Sequence, residues 1–319
     1  NELPPLDSPQ QLAEALGLTV SRLRWLAYHR DAATMVHYRR FVIPKRGRGE
    51  RAIWAPLPAL KAAQQWVLRN VVERLPVHGA AHGFLPGRST LTNAAAHTGA
   101  RLIVKMDVKD FFPTVTVRRV RGVFRKAGYR EQVATLLALL CTEAPREIVE
   151  QDGTTYYVSL GPRCLPQGAP TSPALTNTLC LRLDRRLSGL AKRYGWRYTR
   201  YADDLTFSLP AAHEGEPHVG TLMGLVRRIV EAEGFRLHPD KTRVHRNGGR
   251  QQVTGLVVNG DGKPRVPRKL RRQLRAAVHK LGRGKTLKEG ETVERLAGYV
   301  AYVHMTDPAL GDKLFAGLA

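Results

Sequence analysis

Two adjacent carboxylates, Asp203 and Asp204, stand in the stretch Arg200-Tyr201-Ala202-Asp203-Asp204-Leu205-Thr206-Phe207, and any fold has to find them a tolerable place. Before the pair, Trp196, Tyr198 and Arg200 alternate with Arg197, Thr199 and Tyr201. After it, Leu205 and Phe207 alternate with Thr206 and Ser208. A period of two on both sides predicts two strands of a hairpin with the acids at its turn. Two like charges at the tip of an apolar hairpin repel unless water or a cation separates them. A solvated turn accounts for the pair on its own, because Asp is a common turn residue; a metal site needs further support from the chain.

Charge supplies the first support. The chain carries 51 Lys and Arg against 27 Asp and Glu, a formal charge of +24, which implies a large polyanionic partner. Nucleic acid is the first expectation and an anionic membrane surface its competitor. No run of about 18 apolar residues exists and no signal-peptide core opens the chain, so a cytoplasmic protein without a membrane partner is expected. Asn1 in place of an initiating Met points to residues upstream. Cys141, Cys164 and Cys180 are odd in number and widely spaced, which argues for core thiols over zinc or disulfides. His78 and His82 have an i, i+4 spacing, but Gly79 between them disfavours a helical ligand pair.

Along the chain, Ser8-Pro9-Gln10-Gln11 reads as an N-cap, an N1 proline and a capping-box glutamine, with Gly17 closing the helix. A second helix begins near Ser21. The pair resembles a helix-turn-helix, a rival reading as a nucleic-acid-binding regulator; against it, Leu23, Trp25, Leu26 and Tyr28 carry more apolar bulk than a groove-reading helix leaves exposed. Residues 41–53 form two strands about a basic, glycine-rich tip, Lys45 to Arg51, suited to gripping phosphates or simply to solvent. Leu60, Ala63, Val67, Val71 and Leu75 mark a scaffold helix that Pro76 ends. Asn93 to His97 is helical by propensity. The strand Leu102–Met106 runs into Asp107, and Pro113 stops that pattern.

Helices follow near 117–126 and 132–140, then a hairpin over 147–159 turning at Asp152-Gly153. Leu165 to Pro173 is a stiff loop ending in an N-cap Ser172 and an N1 Pro173, opening a helix through about Arg193. A helix spans about 219–232. Short strands are expected at 235–237 and 252–258. From Lys263 to Lys285 there are ten Lys or Arg and no acid, while Val266, Leu270, Leu274, Val278 and Leu281 share a helical face. Such a helix either tracks phosphates or is solvated, and the net charge favours phosphates.

Asp107, Asp203 and Asp204 are thus three carboxylates at strand ends or turns. Oxygen ligands without His or Cys select Mg²⁺, with Mn²⁺ as an alternative. Two such ions would activate a hydroxyl and stabilise a leaving pyrophosphate, which is nucleotidyl transfer.

The ordered elements F-V-I-P-K (41–45), H-G-F-x-x-G-R-S (82–89), M-D-V-K-D-F-F-P (106–113), L-P-Q-G-A-P-T-S-P (165–173) and Y-A-D-D (201–204) resemble the motifs of reverse transcriptases over nearly the whole chain. The resemblance implies an α+β right-hand polymerase fold with an antiparallel palm sheet. The implied layout is a helical segment at 1–40, fingers at 41–104 and 113–164, palm at 105–112 and 165–252, and thumb at 253–319. It further implies catalytic Asp107, Asp203 and Asp204, a metal set of Asp107, Val108, Asp203 and Asp204, and nucleotide contacts from Lys45, Arg51, Asp110, Phe111, Phe112, Gln167 and Lys241. Phe112 matches the aromatic gate against a ribose 2′-OH, and Lys241 the lysine placed to protonate pyrophosphate.

Asn93-Ala-Ala-Ala-His97 and Val253-Thr254-Gly255 resemble the N-A-x-x-H and V-T-G elements of bacterial retron reverse transcriptases. That subtype implies a structured non-coding RNA (msr-msd) as partner and template, priming from an internal guanosine 2′-OH, and a branched RNA–DNA product (msDNA) made from dNTPs. Antiphage defence with an effector or toxin partner is implied as well. Asn93, His97, Val253, Thr254, Gly255, Arg265, Arg268, Lys269 and Arg272 are the expected RNA contacts. The stretch of under about 120 residues after Asp204 has no second acidic cluster, so host RNase H is expected to remove the template. A group II intron or defence-type reverse transcriptase extending a 3′-OH primer is the alternative within the class.

Overall fold

The computed structural model describes residues 2–44, 49–260, 262–283, 287 and 291–318. In chain order it begins with α1 (Pro9–Ala15), α2 (Val20–Ala27), β1 (Ala32–Ala33), β2 (Tyr38–Pro44), β3 (Glu50–Pro56) and α3 (Pro58–Asn70). Next come α4 (Thr90–Ala95), β4 (Ala100–Asp107), α5 (Val117–Lys126), α6 (Glu131–Cys141), β5 (Arg146–Gln151) and β6 (Thr154–Ser159). The second half holds α7 (Ser172–Leu179), α8 (Leu181–Arg193), β7 (Arg197–Tyr201), β8 (Asp204–Pro210), α9 (Val219–Ala232) and β9 (Arg243–Arg246). It closes with β10 (Gln252–Val253), β11 (Leu256–Val257), α10 (Arg268–Leu281), α11 (Val293–His304) and α12 (Pro308–Ala316). These elements form two compact units, one of residues 1–79, 108–185 and 229–236, the other of residues 80–107, 186–228 and 237–319.

In the first unit, α1 and α2 pack on α6. Ser8 caps α1 as expected, but Gln11 reaches back to the Asp7 N–H, one residue beyond the cap. Helix α2 buries Leu23, Leu26 and Ala27 against the body, while Arg22, Arg24 and Trp25 remain exposed on its other side. Trp25 and Tyr28 differ from expectation: Tyr28 is exposed, and Trp25 sits between the Arg22 guanidinium and the His37 ring. The hairpin β2–β3 and the sheet β1-β6-β5 are antiparallel. Asp152 and Gly153 turn the second at φ 48° and 73°, the left-handed pair a two-residue hairpin turn needs. All three cysteines are buried thiols outside any disulfide.

Several expected boundaries move. Helix α3 stops at Asn70, whose side chain bonds the Trp66 carbonyl, and a separate 3₁₀ turn covers Val72–Arg74; the break precedes Pro76. The helix after the stiff loop starts one residue early, with Thr171 at the N-cap position and Ser172 already inside it, its hydroxyl turned back to the Pro166 carbonyl at 2.8 Å; it divides at Cys180 into α7 and α8. Residues 235–237 hold a single bridge residue in place of a strand.

The second unit is organised by a four-stranded antiparallel sheet in the order β7-β8-β4-β9. Strand β9, alternating Arg, Val, His and Arg, was not anticipated. Its side chains are mostly exposed, so it lacks the apolar run that marks a buried strand. Residues 252–258 are two two-residue strands joined at Thr254-Gly255, not one strand. Val253, Leu256, Val258 and Val266 then enter a common core with Leu274 and Val278 of α10 and with Val300 of α11.

Candidate active site

Strand β4 is buried along most of its length, and its last residue, Asp107, lies opposite Asp204 in the antiparallel ladder. On the other side Asp204 pairs with Tyr201, so the hairpin turns on Ala202 and Asp203 alone, with Ala202 at φ 54°. The turn is tighter than expected: Asp203 is in it, and Asp204 is already the first residue of β8. Register therefore fixes Asp107 and Asp204 as cross-strand neighbours, where like charges destabilise.

The electrostatics follow from that placement. Burial, with Asp204 and Asp107 adding repulsion, pushes the Asp203 carboxyl up to about 6. Burial also raises Asp204, opposed by Lys105 and reinforced by Asp107. Lys241, from the 3₁₀ turn Pro239–Lys241, sets its Nζ 2.9 Å from both Asp107 oxygens. An all-oxygen set of carboxylates that resist carrying their charge alone fits a hard divalent cation. Among the described residues no three His, Cys, Asp or Glu side chains converge enough to cage an ion unaided.

The turn is braced from behind, which the sequence did not reveal. Arg200 is the largest fully buried side chain among the described residues; its guanidinium donates to the Ala202 carbonyl at 3.2 Å. Its backbone pairs with residues 80–82, Arg200 N–H to Ala80 O and His82 N–H to Arg200 O, both 2.8 Å. A Cβ on Gly83 would lie 2.9 Å from the Ala202 nitrogen, so the H-G-F element works by letting backbone approach backbone. Phe84 then stands half exposed, its ring 6.3 Å from that of Tyr201.

The remaining nucleotide candidates belong to the first unit. Phe111 is buried against Phe112 and Phe235, each 5.6 Å away, and Arg119 covers the Phe235 ring. Its side chain is therefore core, whereas Phe112 is only half buried. Asp110 is exposed at φ 48°, and its carbonyl accepts from Thr114. The Gln167 carbonyl accepts from Trp54 N–H at 2.7 Å, and Gly168 at φ 121° would, with a Cβ, meet Trp54 O at 2.7 Å. Arg51 is exposed on β3; Lys45 lies outside the described residues. Val108, apolar and buried, can offer an ion only its carbonyl oxygen.

The RNA candidates divide sharply. Arg265, Arg268, Lys269 and Arg272 are exposed, the last three on one stretch of α10. Asn93, His97 and Val253 are buried and present no surface to a ligand, which corrects the expectation that they touch RNA. The His97 ring contacts Ser208 and Thr199 at 2.6 and 2.7 Å, and Thr199 donates to Asn93 Oδ1 at 2.6 Å. Thr254 spends its hydroxyl on the Thr90 carbonyl, 2.9 Å. Only Gly255 of the V-T-G element is exposed.

Comparison with known proteins decides the family. Residues 43–270 match the family described as "Reverse transcriptase (RNA-dependent DNA polymerase)". The retron Mx162 reverse transcriptase of Myxococcus xanthus is 60% identical over 100% of this chain and 68% of its own length. The chain belongs to the bacterial retron reverse transcriptases. Two further members are the retron Mx65 enzyme of M. xanthus, 46% identical over 98% of this chain and 71% of its own, and the retron Ec86 enzyme of Escherichia coli, 33% identical over 96% and 86%. A foamy viral protease–reverse transcriptase solved with double-stranded DNA superposes with a TM-score of 0.50 at 12% identity, over 99% of this chain and 44% of that one. It shows the α+β polymerase fold. As a retron reverse transcriptase the protein is an RNA-directed DNA polymerase with nucleic-acid partners, from a family that uses divalent metal ions. Among the described residues no helix is long and apolar enough to cross a membrane.

Proposed function

We propose that the protein copies its own structured non-coding RNA, starting from an internal guanosine 2′-OH to give branched RNA–DNA. The observation that carries this is the identity to retron enzymes across the whole chain, 60% with the Mx162 enzyme. Asp107 and Asp203 would be the principal ligands of two Mg²⁺ ions, with Asp204 in support, and ions held there would supply activation of the attacking hydroxyl and charge neutralisation for the leaving pyrophosphate. The desolvated, mutually repelling carboxylates at the head of β8 and the end of β4 support that assignment.

In this reading the chain's own groups do the positioning. Lys241 holds a proton next to Asp107 and delivers it to pyrophosphate. The half-buried Phe112 ring excludes a ribose 2′-OH, with Phe111 as its rigid backing. Gln167, Arg51, Asp110 and the tip containing Lys45 line the nucleotide's path, and the α10 face of Arg268, Lys269 and Arg272 holds RNA phosphates. Residues 253–319 are a thumb and the β7-β8-β4-β9 sheet is the palm. Host RNase H removes the template RNA, and an effector or toxin protein in antiphage defence is a further partner.

Nucleic acid copurifying with the protein tests the priming claim. Debranching enzyme should release DNA from an internal guanosine of the RNA. DNA attached only through a 3′ end would instead support the group II intron or defence-type alternative.

A further inference from the structure

The buried contacts of the two short elements form one continuous connection inside the second unit. Thr199 gives its proton to Asn93 Oδ1, so at 2.7 Å its oxygen accepts from His97 Nε2–H. The other ring nitrogen, Nδ1, is then an acceptor and takes the Ser208 hydroxyl proton at 2.6 Å. The chain Ser208, His97, Thr199, Asn93 runs in one direction and fixes a single neutral tautomer. Burial, with His82 and Arg197 adding repulsion, pushes His97 down to about 3, so the tautomer persists at neutral pH. Thr199 lies on β7 and Ser208 on β8, while Asn93 is in α4 and His97 just beyond its end. The clamp thus joins α4 to both strands of the hairpin whose turn and second strand carry Asp203 and Asp204.

The other end of α4 is tied as firmly. Thr254 stands at φ 45° and Gly255 at φ 86°, a turn that a β-branched residue adopts only under constraint. The constraint is visible: the Thr254 hydroxyl donates to the Thr90 carbonyl at the start of α4, and Tyr302 of α11 donates to the Thr254 carbonyl at 3.5 Å. A Cβ on Gly255 would lie 2.9 Å from the Tyr302 hydroxyl, so the tip of that side chain packs directly against the turn. Val253 is fully buried beside Ala94 of α4 and Val300 and Val303 of α11.

We propose that these two elements make α4 a strut fixing the catalytic hairpin β7–β8 to helix α11, with His97, Thr199, Thr254 and Tyr302 as positioning residues for DNA synthesis. Helix α11 packs on α10, and the inference rests on the reading of α10's basic face as a holder of nucleic acid. The strut then sets the distance from the held duplex to Asp203 and Asp204, where misplacement by an ångström is costly.

The test uses near-isosteric changes in the full chain, Thr199→Val and Tyr302→Phe, with Thr199→Ser as the conservative control. Single-turnover extension of an annealed primer on RNA is measured per active site, beside the Kd for the primer–template. The strut predicts that kcat falls about tenfold to a hundredfold while Kd and the dNTP KM stay within about twofold. Thr199→Ser recovers most of the loss. A purely architectural role would reduce the thermal midpoint and the active fraction but leave single-turnover kcat intact, which overturns the proposal. So does a tenfold weaker Kd with kcat unchanged, which would make these residues RNA contacts. In Arg268→Ala/Arg272→Ala, an unchanged Kd would instead remove the reading of α10 on which the strut depends.

Discussion

At the level of single residues, the catalytic turn trades stability for charge density. Asp203 is half-buried beside two other carboxylates and its carboxyl is raised to about 6, so at neutral pH the metal-free fold carries an anion it disfavours. Asp203→Asn should abolish primer extension yet stabilise the metal-free protein by roughly 1–3 kcal/mol. Thermal melts with EDTA check the second half, and a lowered midpoint would contradict it. Gly168 obeys the opposite logic. At φ 121° and against the Trp54 carbonyl, it has neither the backbone freedom nor the space for a methyl group. Gly168→Ala should cost about 2–4 kcal/mol in urea unfolding and displace Gln167 from the Trp54 N–H.

At the level of elements, α4 shows what a sequence conceals. Its pattern, Thr-Leu-Thr-Asn-Ala-Ala, announces a short helix and nothing more, yet the helix closes over Thr199 and Ser208, the polar positions of β7 and β8. Their alternation with apolar residues gave strands, and the structure buries Thr199 and Ser208 as well as their apolar neighbours. Period-two patterning reports side-chain direction and not what covers the second face. The acids, the hairpin and the Asp107 strand were legible because apolar runs ending in charge leave few other solutions. Arg200, Gly83 and β9 were not, because a backbone brace and an exposed edge strand carry no composition signal.

The α4 clamp also gives the element a pH signature. The unfolded chain protonates His97 near 6.5, whereas the folded state resists until about 3. Stability from this group is therefore present above about pH 6.5 and declines as pH falls toward 3, at up to ~1.4 kcal/mol per pH unit. His97→Gln, which cannot titrate, should flatten that slope in urea titrations from pH 7 to 4. An unchanged slope would place the titrating group elsewhere.

At the level of the whole molecule, the charge of +24 makes association with nucleic acid strongly salt-dependent. Removing two α10 cations in Arg268→Ala/Arg272→Ala should reduce the slope of log K against log[salt] by about 1.4–1.8. Filter binding on a primer–template across a salt series measures it, and a slope altered by less than about 0.5 would mean these side chains do not reach phosphates.

The order of strands has a consequence in the time domain. Strand β4 ends at Asp107, but its ladder partners β8 and β9 begin at Asp204 and Arg243. During synthesis at about 5–20 residues per second, Leu102, Ile103, Val104 and Met106 wait roughly 5–20 seconds for β8. The buried strand of the finished polymerase is, for that interval, an exposed apolar edge of the sort that aggregates or recruits chaperones. Newly made enzyme thus passes through a vulnerable window set by topology, and slower translation between residues 107 and 204 lengthens it.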